Sequence, residues 1–230
     1  FDKNGSDVMG QITVKEAGLA VGTLNDGSNS ASGTMLVTAA NGVSSIEFGT
    51  TTLTLAQLNA LSAISPVTVS TPLGTMTLTG YSGGVISYTY AIAVAPTGLN
   101  AASSTVVDPG ITVTVQDAGG LTAFKTFSAN ILDDAPKAGN DSFSTAINTT
   151  ATGSVATNDN MGADVGGAWT LGTAPQHGTV TIDANTGEYS FVPTTGYTGT
   201  DSFTYTLTDK DRDFKTATVA IDISNPAPTL

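Results

Sequence analysis

The sequence predicts an all-β chain: two tandem antiparallel β-sandwiches, with one short helix in the first. Three observations predict it. Apolar residues alternate with Thr or Ser in many short runs, the period of a half-buried strand. Turn signals recur every several residues, which suits a sandwich or barrel of short strands. A Pro-containing junction at residues 131–136 divides 230 residues into two pieces of ordinary domain size, about 100–150 residues each.

The alternation is clearest in Thr75-Met76-Thr77-Leu78-Thr79, Ile111-Thr112-Val113-Thr114-Val115, Thr179-Val180-Thr181-Ile182 and Ser202-Phe203-Thr204-Tyr205-Thr206-Leu207. Thr on the wet face supplies β-branching without apolar exposure. Turns are expected at Asn25-Asp26-Gly27, Asn41-Gly42, Ser82-Gly83-Gly84, Asp108-Pro109-Gly110, Gly119-Gly120 and Asn185-Thr186-Gly187. One segment departs from period two. Thr54-Leu55-Ala56-Gln57-Leu58-Asn59-Ala60-Leu61 has helical apolar spacing, and Thr54 with Gln57 forms a capping box. It reads as a short crossover helix that plugs one end of the first core.

The domains are predicted as 1–133 and 134–230. Ile131-Leu132-Asp133-Asp134-Ala135-Pro136 is an extended, stiff junction between them. Phe124-Lys125-Thr126 precedes Pro136 by the same ten residues that separate Phe214-Lys215-Thr216 from Pro226. The repeated spacing suggests a tandem array, with Ile223-Ser224-Asn225-Pro226 as the next linker and the chain as a fragment of something longer. In the second domain strands are expected near 141–147, 151–157, 168–173, 178–183, 188–192, 202–208 and 215–224.

Charge narrows the function. The chain carries 19 acids, 7 bases and a net charge of −12. The acids divide as eight over residues 1–133 and eleven over 134–230, so no acidic tail exists. This argues against nucleic acid and against an anionic membrane, both of which need a basic surface. No apolar run approaches the ~18 residues of a membrane span, and the N-terminus shows no secretory signal. With no Cys, disulfides, thiolate zinc sites and cysteine nucleophiles are excluded. So few Lys and Arg leave most carboxylates solvated or neutralised by a metal cation.

If the seven strands of the second domain form an Ig-like sandwich, the start of the first strand, the second–third loop and the sixth–seventh loop share one pole. Those places hold Asp133, Asp134 and Asp141; Asp159 in Asn158-Asp159-Asn160; and Asp209, Asp211 and Asp213 in Asp209-Lys210-Asp211-Arg212-Asp213. Carboxylates at i, i+2 and i+4 repel unless neutralised, and hard oxygen ligands in number suit Ca²⁺ better than Mg²⁺. The alternative is an ordinary polar hairpin in which Lys210 and Arg212 pair with the acids. The EF-hand loop is rejected, because its glycine and twelfth-position Glu are missing. The first domain offers a thinner set, Glu16 near its first strand and Asp117 in Gln116-Asp117-Ala118-Gly119-Gly120, for a weaker calcium site or none.

Residues 134–225 resemble the cadherin-like or bacterial Ig-like repeats of giant surface proteins. The matching pieces are Asp134-Ala135-Pro136, Asn140-Asp141-Ser142-Phe143, Asn158-Asp159, Pro175-Gln176-His177-Gly178-Thr179-Val180, Phe191-Val192-Pro193 and Gly196-Tyr197-Thr198-Gly199-Thr200-Asp201-Ser202-Phe203-Thr204-Tyr205, ending in Asp209. Residues 10–133 resemble the roughly 140-residue repeat of type I-secreted proteins, through Val14-Lys15-Glu16-Ala17-Gly18-Leu19 and Asp26-Gly27-Ser28-Asn29. The resemblance points to a giant RTX-type bacterial adhesin. It implies type I secretion, calcium-dependent folding outside the cell, and an extender or ligand-zone role on the bacterial surface in adhesion and biofilm formation. Two departures stand out: Asp-x-Asp-Gly-Asp becomes Asp209-Lys210-Asp211-Arg212-Asp213, and the exit Ser224-Asn225-Pro226 lacks the acid pair.

The expected function is therefore a calcium-stiffened spacer, monomeric, whose partners are neighbouring repeats of the same chain. A glycan- or peptide-binding module is the competing class, with the 24–33 loop and the Ala95 to Gly110 loop as its candidate surfaces. An enzyme is not expected. His177 is the sole His and reads as a turn residue; Trp169 reads as core and Tyr197 as a corner residue bracing the turn into the sixth strand.

Overall fold

The period-two pattern folds as two sheet pairs. The structure, a computed structural model, describes residues 12–96 and 104–227. Within them, 12–20, 24–96 and 104–133 form one compact unit, and 21–23 with 134–227 the other.

In the first unit, one sheet has the order β1 (Ile12–Lys15), β9 (Thr122–Leu132), β8 (Thr105–Asp117), β3 (Val43–Phe48), β4 (Thr51–Thr54). The other has the order β2 (Ser30–Leu36), β7 (Val85–Ala91), β6 (Thr75–Ser82), β5 (Val67–Ser70). Their inner faces meet through aromatic rings. Phe127 lies 5.4 Å from Tyr88 in an edge-on contact and 5.7 Å from Tyr90, spacings at which aromatic quadrupoles attract. The predicted helix is α1 (Leu55–Asn59), and both halves of the Thr54–Gln57 capping box form. Only Leu58 of this helix is buried, so the cap holds its first turn where packing does little.

Asp108-Pro109-Gly110 is not the expected turn. It lies inside β8 as a β-bulge, where the register with β9 shifts between Asp108 and Ile111. Gly110 has φ +69, and a Cβ there would lie 1.6 Å from the Phe127 carbonyl oxygen, so no other residue fits. Pro109 is tolerated because the bulge removes it from the ladder. Asp108, fully buried, is held by Tyr90 Oη at 2.6 Å, Thr71 Oγ1 at 2.5 Å and Gly110 N–H at 2.8 Å. Two predicted loops shrink accordingly. Thr105 to Gly110 is strand, residues 97–103 of that loop lie outside the described residues, and Ser30 to Gly33 belongs to β2.

In the second unit, β10 (Asp141–Ala146), β16 (Phe214–Ser224), β15 (Gly199–Thr208) and β12 (Ala168–Leu171) form one sheet in that order. The order β11 (Ala151–Ser154), β14 (Glu188–Pro193), β13 (Gly178–Ile182) forms the other. Alternate residues of β15 and β16, Phe203, Tyr205 and Leu207 against Ala217, Val219, Ile221 and Ile223, are buried. All of these but Leu207 form one core cluster with Val180, Tyr189 and Phe191 of the opposite sheet. This is a seven-strand Ig-like sandwich. One feature departs from the antiparallel expectation. The first and last strands of each unit pair in parallel, β1 with β9 and β10 with β16. Side-chain alternation is the same for either direction, so the pattern alone carried no sign of it.

Candidate metal centre

The inward alternation of β15 does not stop at the end of the strand. After Phe203, Tyr205 and Leu207, the next inward position is Asp209, and the hairpin brings Asp213 back beside it. Both aspartates are buried, at 4% and 5% exposure, while Asp211 between them is half-buried. The five-residue loop closes on itself. Asp209 N–H donates to the Asp213 carbonyl at 2.9 Å, and Asp213 N–H donates to Asp209 Oδ1 at 2.7 Å. Arg212 turns the chain with φ +84, the left-handed conformation that the resemblance would fill with Gly.

Each of the three aspartates offers a carboxylate oxygen, and these lie within 4.8 Å of one another. Asp209 Oδ2, Asp213 Oδ2 and both oxygens of Asp211 are buried without a hydrogen-bond donor. Lys210 and Arg212 are exposed and donate to none of these four oxygens. Burial, then the neighbouring Asp211, pushes the Asp209 carboxyl up to about 8. Oxygens around one ion at about 2.4 Å can be no more than ~4.8 Å apart, and an all-oxygen donor set is what a hard cation selects. The donor set thus fits Ca²⁺, which Asp209, Asp211 and Asp213 would hold.

Sequence reasoning missed Asp164. It is buried in the loop before β12, and its carbonyl accepts the Lys210 N–H at 3.1 Å. Gly167, three residues on, packs so tightly that a Cβ would lie 1.8 Å from the Thr208 carbonyl oxygen. That loop therefore backs the aspartate hairpin. An isolated Asp outside any motif gave no signal of this.

The other candidates do not join the cluster. Asp141 and Asp159 meet each other at one hydroxyl. Tyr205 Oη lies 3.2 Å from Asp141 Oδ2, 2.9 Å from Asp159 Oδ1 and 2.9 Å from the Gly139 carbonyl. Asp159 also accepts from Trp169 Nε1 at 2.7 Å and from Gly139 N–H at 2.9 Å. Burial pushes the Asp141 carboxyl up, while the Tyr205 hydroxyl pulls the other way. The pair ties the start of β10 and the loop after β11 to β15. Asp134 is buried, with Oδ2 accepting the Ala163 N–H at 3.1 Å.

In the first unit, Glu16 is fully buried in the 3₁₀ turn Glu16–Gly18 after β1. Asp133 follows β9, with Oδ2 3.3 Å from Ser104 Oγ. Asp117 closes the β8–β9 turn, accepting from Leu121 N–H at 2.8 Å and Asn41 Nδ2 at 3.0 Å. Those two bonds, Leu121 first, hold its carboxyl below the ordinary carboxylate value.

His177 stacks on Tyr197 with ring centres 3.9 Å apart, and its backbone N–H donates to Asp201 at 2.7 Å. Tyr197 Oη donates to the Thr200 carbonyl at 2.9 Å, which braces the entry to β15. Trp169 is half-buried against the core. A shallow groove is lined by Thr152, Thr181, Asp183, Glu188 and Ser190; its one aromatic, Tyr189, is buried.

Residues 133–222 match the family model described as a bacterial Ig domain. No curated protein matches the chain. Among solved structures, it is similar to the extracellular domain of protocadherin gamma B4, at 15% identity and a TM-score of 0.34, over 93% of this chain and 31% of that one. It is also similar to an endo-fucoidan hydrolase of glycoside hydrolase family 107, at 16% identity and a TM-score of 0.31, over 70% and 24%. A third is the protein SGBP-B of the Bacteroides ovatus mixed-linkage glucan utilization locus, at 14% identity and a TM-score of 0.22, over 96% and 45%. The chain spans less than half the length of each of the three.

Proposed function

We propose that this chain is a calcium-stiffened structural module, an extender, of a large bacterial surface adhesin that acts in cell adhesion and biofilm formation. One observation carries the reading: three aspartate carboxylates gather within 4.8 Å on one hairpin, with four buried oxygens lacking any hydrogen-bond donor. Unsatisfied buried carboxylate oxygens are costly, and calcium removes that cost while fixing the hairpin. The match of residues 133–222 to a bacterial Ig domain supports an extracellular structural or adhesion role. The resemblance of the first domain to repeats of type I-secreted proteins supports export by that route. The partners are then neighbouring modules of the same chain, and the protein is monomeric.

Calorimetric titration of the full chain with CaCl₂ tests the proposal. Extracellular modules bind calcium at about 10⁻⁴–10⁻³ M, and saturable binding in that range, lost in Asp211→Asn, is expected. No calcium-dependent heat in the intact protein would refute it. The groove beside β13 presents hydroxyls and two acids without an exposed aromatic, so glycan arrays probed with the chain should stay blank.

A further inference from the structure

We infer that Asn41 is a modification site, a deamidation switch that Asp117 holds shut. Their contact protects the Asn41–Gly42 pair while the turn is closed, and hydrolysis of the amide converts that contact into a repulsion. The turn demands the residues that make it chemically weak. Gly42 has φ +81, a conformation that favours glycine, and glycine has no side chain to shield its own nitrogen. Asn41 before it is exposed, so water and hydroxide reach its amide.

In an open chain the Gly42 nitrogen, having lost its proton to hydroxide, attacks Asn41 Cγ. The Cγ–Nδ2 bond breaks, Nδ2 takes up a proton from water and leaves as ammonia, and a five-membered succinimide closes. Water then opens the ring. Opening at Cγ gives Asp; opening at the main-chain carbonyl gives isoAsp, whose backbone is one carbon longer just ahead of β3. By either route one water enters, one ammonia departs, and a neutral amide becomes a carboxylate.

In the fold both reacting groups are tied. Gly42 N–H donates to the Ala39 carbonyl at 3.0 Å, and the Gly42 carbonyl accepts the Ala118 N–H at 3.0 Å. Asn41 Nδ2 donates to Asp117 Oδ2 at 3.0 Å, which holds the amide on Asp117 instead of over the Gly42 nitrogen. Asp117 is itself fixed. It is buried, its Oδ1 accepts the Leu121 N–H at 2.8 Å, and it stands opposite Val43 at the start of β3. Attack therefore waits for local opening of the turn, the kind of event that limits chemistry in loops. Once the amide is hydrolysed, the donor is gone and two carboxylates face each other, which repel. The step does not reverse, so a turn that has reacted stays loosened, and with it the tie between the β2–β3 connection and the β8–β9 hairpin. Asp117 is thus a positioning residue for Asn41.

The test incubates the full chain in warm, mildly alkaline buffer, folded and in guanidinium chloride, and peptide mapping by mass spectrometry reads the exchange of NH for O at Asn41. The folded protein should react at least about tenfold more slowly than the denatured chain. Asp117→Ala should raise the folded rate about fivefold or more, to a value still below the denatured one. Asp117→Asn keeps an acceptor oxygen for Asn41 and should stay within about twofold of the parent. Asn41→Asp, the product itself, should lower the first unit's melting temperature by roughly 3–8 °C. Adding Asp117→Asn to Asn41→Asp rebuilds the contact with donor and acceptor exchanged and should recover at least about half of that loss. Equal rates in folded and denatured chain, an Asp117→Ala rate equal to the parent's, or an Asn41→Asp loss that Asp117→Asn does not recover would each overturn the inference. Every arm is run in EGTA and the aspartate hairpin lies in the second unit, so the result leaves the calcium reading untouched.

Discussion

Replacing Asp211 with Asn should stabilise the metal-free protein and abolish most of the further stabilisation that calcium gives the parent. Both of its carboxylate oxygens are buried without a donor, and its ligand oxygen lies within 4.8 Å of those of Asp209 and Asp213. At that distance and an effective dielectric constant of about 20, two ionised carboxylates repel by about 3 kcal/mol. The raised Asp209 carboxyl relieves part of this by keeping its proton below about 8. The neutral isostere should therefore add about 1–3 kcal/mol in EGTA at alkaline pH, or ~5–15 °C for a transition of a unit this size. In about 5 mM calcium the parent gains about 1–2 kcal/mol from an ion bound at about 10⁻⁴–10⁻³ M, whereas the variant gains almost nothing. Thermal melts by circular dichroism in EGTA and in CaCl₂ read all four states. The reasoning is refuted if Asp211→Asn lowers the melting temperature in EGTA, or if parent and variant respond equally to calcium.

Three further outcomes are expected. The Asp209 carboxyl is raised from 3.8 to about 8 in the folded protein, so the fold binds that proton more tightly than the unfolded chain. The associated stability is complete below about 4 and is lost as pH rises through about 8; melts in EGTA should show that decline, and saturating calcium should flatten it. Arg212→Gly removes a non-glycine residue from φ +84, a strain of about 1–2 kcal/mol partly offset by about 0.5–1 kcal/mol of added freedom in the unfolded chain; a modest rise in melting temperature and tighter calcium binding by calorimetry should follow. Thr54→Ala deletes one half of the capping box seen at α1 and should cost about 1 kcal/mol, lowering only the first unit's transition in a denaturant titration.

Local signals account for what the sequence revealed. The capping box needed only Thr54 and Gln57, three residues apart, and the strand pattern of the second domain followed alternation residue by residue. Asp209 and Asp213 were visible as an i, i+4 pair, but their burial depended on strand phase carried past the end of β15. Non-local facts stayed hidden. Asp-Pro-Gly spells a turn and a bulge equally well, and only Phe127 packed against Gly110 decides between them. That Asp141 and Asp159 share the Tyr205 hydroxyl was hidden too, because Tyr205 lies 64 and 46 residues away.

The placement of β10 beside β16 also bears on how the protein comes to exist. Asp141 and its partner Val219 are 78 residues apart, and β16 is the central strand that both β10 and β15 need. A chain made from one end to the other cannot finish this sandwich until its final strand emerges. Such long-range closure is intrinsically slow. The inner faces of the earlier strands therefore stay uncovered through synthesis, and the sandwich closes last of all.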